Sequence, residues 1–505
     1  MTGVIEVVLG CPRELEAKAR YVFDTLLIAA GLRTDYRKEP SGNGPFVWYG
    51  DRAARPSATS AGISILHCSK AWDFLQRGAG PTDCTTVHGL PVPFGGSRAT
   101  TESALDIEFD LVANAFYFLS SWQERALARS GARALFAESV FAREKIPQSI
   151  VDSYLALLLE RLQTLPGLPG RGVSQRPIWA AGRRFAVVLS HDVDYLPTGL
   201  FDIVAQAGRT MARHLMRQKS VREAAAAFAG LVRALAIGRD PFGCVPHIIL
   251  EEQRRGVRAS FQVAVARRHP KDVNYSIDHP RIRDYLGIIT RSGFELALHG
   301  SYRSTENDHW YGEEVATLTA ALGAPIGSRQ HYLAFDYDVL FSAQERAGIE
   351  YDMSLGYPDH PGSRVGFSYP FFPYNINEDR PYRVLQIPLV LMDVTLRSYM
   401  HLDARHAWDV MDQTLRGLQR QGGCASVVWH PIVFGNARDP GYGDLFWKMV
   451  DTINQRGGLA TDGRTINRIW RRRASAYASF AFAERGPSSP ASQQTMADER
   501  MEGCA

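Results

Sequence analysis

Paired cysteines are missing from this 505-residue chain. The six it has, Cys11, Cys68, Cys84, Cys244, Cys424 and Cys504, lie far apart with no CxxC spacing, which excludes a disulfide scaffold and a thiolate metal knot and reads as reduced thiols. No apolar run approaches the ~20 residues needed to span a bilayer. The start, MTGVIEVVLGCPRELEAKAR, lacks a basic leader followed by an apolar core, so a cytoplasmic location is expected. Charge of one sign is also lacking: a net charge of +4 over this length gives no argument for nucleic acid as a partner. Internal repeats are absent by inspection. With 45% hydrophobic and 22% charged residues, the remaining class is an ordinary globular protein with room for two or three domains.

Residues 1–170 read as a small α/β domain: the strand VIEVVLG, the helix ELEAKARYVFDTLLIAAG, the strands FVWYG and ISILH, then helical pattern from about 105 to 165. The Pro/Gly-rich stretch PGLPGRGVSQRP begins a break, with a linker at 171–184. From 185 to 480 the strand candidates FAVVLS, RASFQVAV, FELALHG, YRVLQIPL and ASVVWHP are spaced for intervening helices, which predicts a parallel α/β sheet or barrel. The segment 200–239 carries Arg209, Arg213, Arg217, Lys219, Arg222, Arg233 and Arg239 against Asp202 and Glu223. It reads either as a solvated helical insertion or, through 205–238, as a peripheral contact with an anionic membrane surface on its inner face. The tail 484–505, rich in Ser, Pro, Gln and charge, reads as disordered.

Most of these strands end in groups that can do chemistry, as in a barrel whose site lies at the C-terminal ends of its strands. In SHDVDYL, Asp192 and Asp194 follow AVVLS; two carboxylates so close repel unless a cation separates them. FELALHGSYRS ends in His299, Ser301 and Tyr302, and GSRQHYLAF carries Arg329 and His331. GIEYDMSLGYPDHPGSRVG carries Asp352, Asp359 and Arg364, where an Arg can orient a carboxylate. ASVVWHPIVF ends in Trp429 and His430, and a His there can donate a proton to a leaving group. Trp310, Tyr311, Tyr357 and Trp429 are candidates for stacking on sugar rings.

In this order the motifs SHDVDYL, RDPFG, LHGSYRS, SRQHYLAF and VVWHP resemble the polysaccharide deacetylase family with its NodB-homology domain, carbohydrate esterase family 4, over roughly residues 180 to 465. The resemblance implies a distorted (β/α) barrel preceded by the small α/β domain, and a hydrolase that uses a divalent metal to remove N-acetyl or other acyl groups from a carbohydrate or glycan-precursor substrate. It implies Asp192 as catalytic base, Asp194 and His299 as metal ligands, Arg329 orienting the base and His430 as catalytic acid. The second His of the usual HxxxH motif is Arg303 here, and an Arg is no ordinary metal ligand. His331 is the replacement candidate, while Tyr302, Asp352 and Trp429 are candidates for contacting substrate. Zinc is the first choice for mixed His and carboxylate donors, which also accept cobalt, nickel, iron or manganese. The competing readings are a carbohydrate-binding barrel that has lost its metal and a hydrolase of another non-peptide C–N bond.

Overall fold

The computed structural model describes residues 3–480 except 43, 58–60, 78–79, 82–83, 96–105, 130–134, 166–177, 180–181, 197–199, 217–220, 222–223, 226–227, 230–231, 233–243, 308 and 435–440. The sequence expectations for the 484–505 tail, most of the 171–184 linker, the RDPFG motif and much of the 200–239 insertion therefore lie outside the described residues.

Four strands near the N-terminus, β1 (Val4–Gly10), β2 (Arg33–Arg37), β3 (Phe46–Gly50) and β4 (Gly62–Leu66), form a parallel sheet in the order β2-β1-β3-β4. A strand covered on both faces needs apolar residues on both, and β3 is buried at every position. Helix Glu16–Ala30 makes the crossover from β1 to β2 and ends at Gly31, whose φ of 71° is the left-handed cap that glycine adopts without strain. A short hairpin follows, β5 (Thr85–Val87) with β6 (Leu90–Val92).

The rest of the chain builds a larger sheet from β7 (Ala186–Val193), β8 (Ser260–Val263), β9 (Glu295–Gly300), β10 (Gly327–Gln330), β11 (Tyr351–Asp352), β14 (Leu385–Gln386), β15 (Leu389–Met392), β16 (Cys424–Val428) and β17 (Leu459–Thr461). The hairpin β12 (Tyr374–Asn375) with β13 (Arg380–Pro381) is inserted before β14. The sheet order is β14-β11-β10-β9-β8-β7-β16-β15, with β17 also on β7, and every pairing is parallel.

That order dictates curvature. β14 and β15 stand at opposite ends of an eight-strand path, yet only Ile387 and Pro388 separate them. Three Cα steps reach at most ~11 Å, whereas seven strand spacings in a flat sheet would span ~34 Å. The sheet must curl until its ends nearly meet, which makes a parallel barrel with a gap between β14 and β15. The sequence stretch YRVLQIPL, expected as one strand, is thus two, divided at Pro388, which has no N–H for a ladder.

One apolar core runs through both sheets, and polar contacts tie the two parts of the chain. Tyr21 donates to Phe372 O at 2.9 Å, and Arg125 Nε donates to Asp338 at 2.8 Å. The Arg364 guanidinium, fully inside the protein, pairs with Glu124 from the N-terminal part, with side chains 4% exposed on both sides. Glu124→Ala leaves that Arg buried without its counter-charge, an expected loss of about 3–5 kcal/mol. Urea unfolding measures it, and adding Arg364→Met should recover much of the loss.

Candidate metal centre

Strand β7 is buried along its whole length, although its second half is polar. Alternation along a strand divides that half into two jobs. Ser190 and Asp192 point into the barrel: Arg329 Nη1 donates to Asp192 at 2.5 Å and Nη2 donates to Ser190 Oγ at 2.7 Å. His191 points outward, with Nδ1 2.7 Å from Trp429 O and Nε2 3.0 Å from Glu252, so it braces β7 from behind. Asp194 lies one residue past the strand, where the barrel opens.

The later motifs interlock at the same end. Gly300 follows His299 because an added Cβ would lie 2.5 Å from Gln330 Oε1. That close approach lets Gln330 Nε2 donate to Ser301 O at 2.5 Å, while Ser301 N donates to buried Glu314 at 2.9 Å. The stretches HGS and RQH are therefore two halves of one brace, which holds the ends of β9 and β10 in register.

At the centre, Asp194, His299 and His331 each offer one donor atom, all within 4.8 Å of one another. Asp194 Oδ1 is 3.1 Å from His299 Nε2 and 3.7 Å from His331 Nε2; among the described residues neither Asp194 Oδ1 nor His299 Nε2 has a well-aligned hydrogen-bond partner, though both are buried atoms. His299 and His331 are 1% and 7% exposed but Asp194 is 33% exposed, so solvent reaches the group from the Asp194 side. Asp192 Oδ2 is 3.8 Å from His299 Nε2. On another side, His430 Nε2 is 3.4 Å from Asp194 Oδ2, and its Nδ1 is 2.6 Å from buried Asp393.

The electrostatics follow from this packing. Burial by itself would raise the Asp194 carboxyl, but the neighbouring His331, His299 and His430 hold it well below the usual carboxylate range. Burial would lower His331, yet Asp194 and Asp272 bring it up to about 9. His430 is raised well above the imidazole range against its burial, by Asp393 and Asp194, and Asp393 is lowered despite burial by His430. A carboxylate ringed by imidazoles, of which His331 and His430 are raised by their carboxylate neighbours, is a place where a divalent cation can take the protons' place. The donor set, two imidazoles and a carboxylate with one open side, fits zinc or another divalent transition ion.

The other sequence candidates fall elsewhere. Arg303 points outward, 47% exposed and 3.4 Å from Glu306, so it does not reach the centre that the usual second His would join. Tyr302 is half-buried at the rim, where its hydroxyl accepts from Lys271 at 3.0 Å and its backbone N–H donates to Asp272 at 2.8 Å; that N–H is engaged within the protein. Two expected substrate contacts need correction. Asp352 is fully buried, its oxygens taken by Ser354 and Gln344 at 2.7 Å, and Trp429 is fully buried with Nε1 donating to Tyr442 O. Tyr311 and Tyr357 are core residues as well, and Arg364 serves Glu124 rather than the centre. Asp393 and Asp272 were not picked out from sequence. LVLMD has the same form as the other motifs, an apolar strand ending in an acid, and could have been found by that rule; Asp272, in the loop RRHPKDVNYS, carries no such signal.

No protein-family model matches the chain, and no curated protein matches it. Among solved structures, the chain is similar to a crystal structure of a "putative polysaccharide deacetylase" from Mycobacterium smegmatis, at 16% identity and a TM-score of 0.40, covering 61% of this chain and 97% of that one.

Proposed function

We propose that this protein is a metal-dependent hydrolase that removes an N-acetyl or other acyl group from a sugar-containing substrate. The observation that carries the reading is the convergence, around the Asp194–His299–His331 donors, of an Arg-held carboxylate and an Asp-backed imidazole. A bound divalent ion would supply a Lewis acid for the acyl oxygen and a lowered pKa for water. Asp192 is the proton acceptor: Arg329 fixes it from one side and leaves Oδ2 facing the centre. His430 is the proton donor to the departing amine, its positive form favoured by Asp393. Arg303 pointing away while His331 faces Asp194 favours an enzyme over a barrel that has lost its metal.

Zinc-loaded full-length protein incubated with N-acetylated oligosaccharides should release acetate and an equal amount of new amine. Ring opening of a cyclic amide without acetate would instead favour the hydrolase of another C–N bond. Sugar binding by protein that takes up no metal would favour the binding barrel.

A lipid-linked or nucleotide-linked glycan precursor met in the cytoplasm, at the inner membrane face, is the substrate class this reading favours. Six exposed large apolar side chains, Val204, Leu215, Met216, Val221, Phe228 and Val232, belong to the segment that starts six residues after Asp194 and is basic in sequence. Among the described residues no helix is long and apolar enough to cross a membrane. Sedimentation with anionic but not neutral liposomes is expected, and binding unchanged on deletion of 205–238 would count against the membrane contact.

A further inference from the structure

His299 and His331 reach Asp194 with unequal backing. His299 belongs to strand β9, and its Nδ1 is 3.0 Å from the backbone O of Arg329, so the sheet itself sets the ring. His331 lies one residue beyond β10, in a turn where Tyr332 and Leu333 take φ values of 57° and 51°, strained for residues with side chains. No ladder orients a ring there. Its Nε2 faces Asp194, and its Nδ1 is buried without a hydrogen-bond partner among the described residues.

Asp272 faces that nitrogen, with Oδ1 3.9 Å from His331 Nδ1. The carboxylate is itself held rigidly: Tyr302 N–H donates to Oδ1 and His269 N–H donates to Oδ2, each at 2.8 Å, and the side chain is 1% exposed. On the reading of this cluster as a metal centre, we infer that Asp272 is the positioning residue of His331, selecting the tautomer that presents Nε2 to the ion.

A neutral imidazole can bind a metal through one nitrogen only, and its proton must sit on the other. A carboxylate beside the protonated nitrogen fixes the ring and makes the bound nitrogen more basic. The gap is about 1 Å longer than a hydrogen bond, and an ion held at Nε2 would favour the tautomer whose Nδ1–H closes it. His430 has the same arrangement already closed, at 2.6 Å from Asp393. Because Asp272 lies in the loop between β8 and helix Pro280–Arg291, the ligand that stands in for the usual second His draws its support from a loop outside the metal motifs.

Asp272→Asn in the full chain tests this, with zinc affinity read by chelator competition, the visible absorption of the cobalt form, and thermal melting of the metal-free protein. Zinc affinity should fall about 10–100-fold and the cobalt bands should shift, with a small drop in metal-free melting from the one backbone N–H that an Asn cannot accept from. Asp272→Glu should recover part of the affinity. If the Asn variant does not fold, Asp272→Ser keeps an acceptor for the Tyr302 N–H and gives the same comparison. Wild-type affinity and cobalt bands in these variants would overturn the role of Asp272 alone. A folded wild-type protein that binds neither ion would overturn the metal reading and Asp272 with it.

Discussion

His331→Ala is expected to reduce bound zinc from about one ion per chain to near none and to abolish hydrolysis, with metal-free stability largely kept. The loss should exceed the ~10–100-fold that removing a supporting partner costs, because a direct ligand is gone. Asp194→Ala and His299→Ala should behave alike, since the three donors form one group. The informative comparison is Arg303→His, which restores the HxxxH spacing. Arg303 is exposed and turned toward Glu306, so a His placed there should add no zinc affinity and should not rescue His331→Ala. Rescue would show that the site is completed as in the usual motif, and the assignment of His331 would fall. Metal content after dialysis and single-turnover acetate release are the two measurements.

Asp192→Asn separates chemistry from metal binding. With its side-chain volume nearly unchanged, the variant should keep bound zinc but lose about 10²–10⁴-fold in kcat, the range for removing a general base. KM should move little, because Asp192 is buried beneath the centre and contacts Arg329 rather than the solvent-facing side. A second effect accompanies the first. Arg329 is 1% exposed and would be left without its counter-charge, so about 3–5 kcal/mol of stability should go with the activity. Arg329→Met alone should be similarly costly in stability, whereas the double variant should regain stability and remain inactive. Retained kcat in stable Asp192→Asn would move the base to another group, with Asp194 the nearest carboxylate by sequence.

The strands β7, β8, β9 and β16 were legible because buried parallel strands are apolar on both faces, as FAVVLS, FELALHG and ASVVWHP are, whereas the short strands β10, β11 and β17 carried no such run. YRVLQIPL misled for the same reason. Its apolar content is that of a strand, and only the closure of the barrel shows that Pro388 divides it between the two ends of the sheet. Asp352 and Trp429 were misread because a polar or aromatic residue near a strand end can face the opening or the packing behind it. Asp352 turns toward Ser354 and Gln344, and Trp429 toward Tyr442.

The sequence by itself determined that Asp192, Asp194, His299 and His430 follow the C-terminal ends of apolar strands, since an apolar run and the polar residues after it are local features of the chain; Arg329 lies on the short strand GSRQ, which has no apolar run to mark it. The tertiary structure alone decided what joins them. His331, beyond its strand in a strained turn, faces Asp194 while Arg303 does not, and Asp393 and Asp272 arrive behind His430 and His331 from separate segments. Such pairings depend on how far the sheet curls and on which loop covers its mouth. Both are set by packing between residues distant in the chain, where periodicity carries no signal.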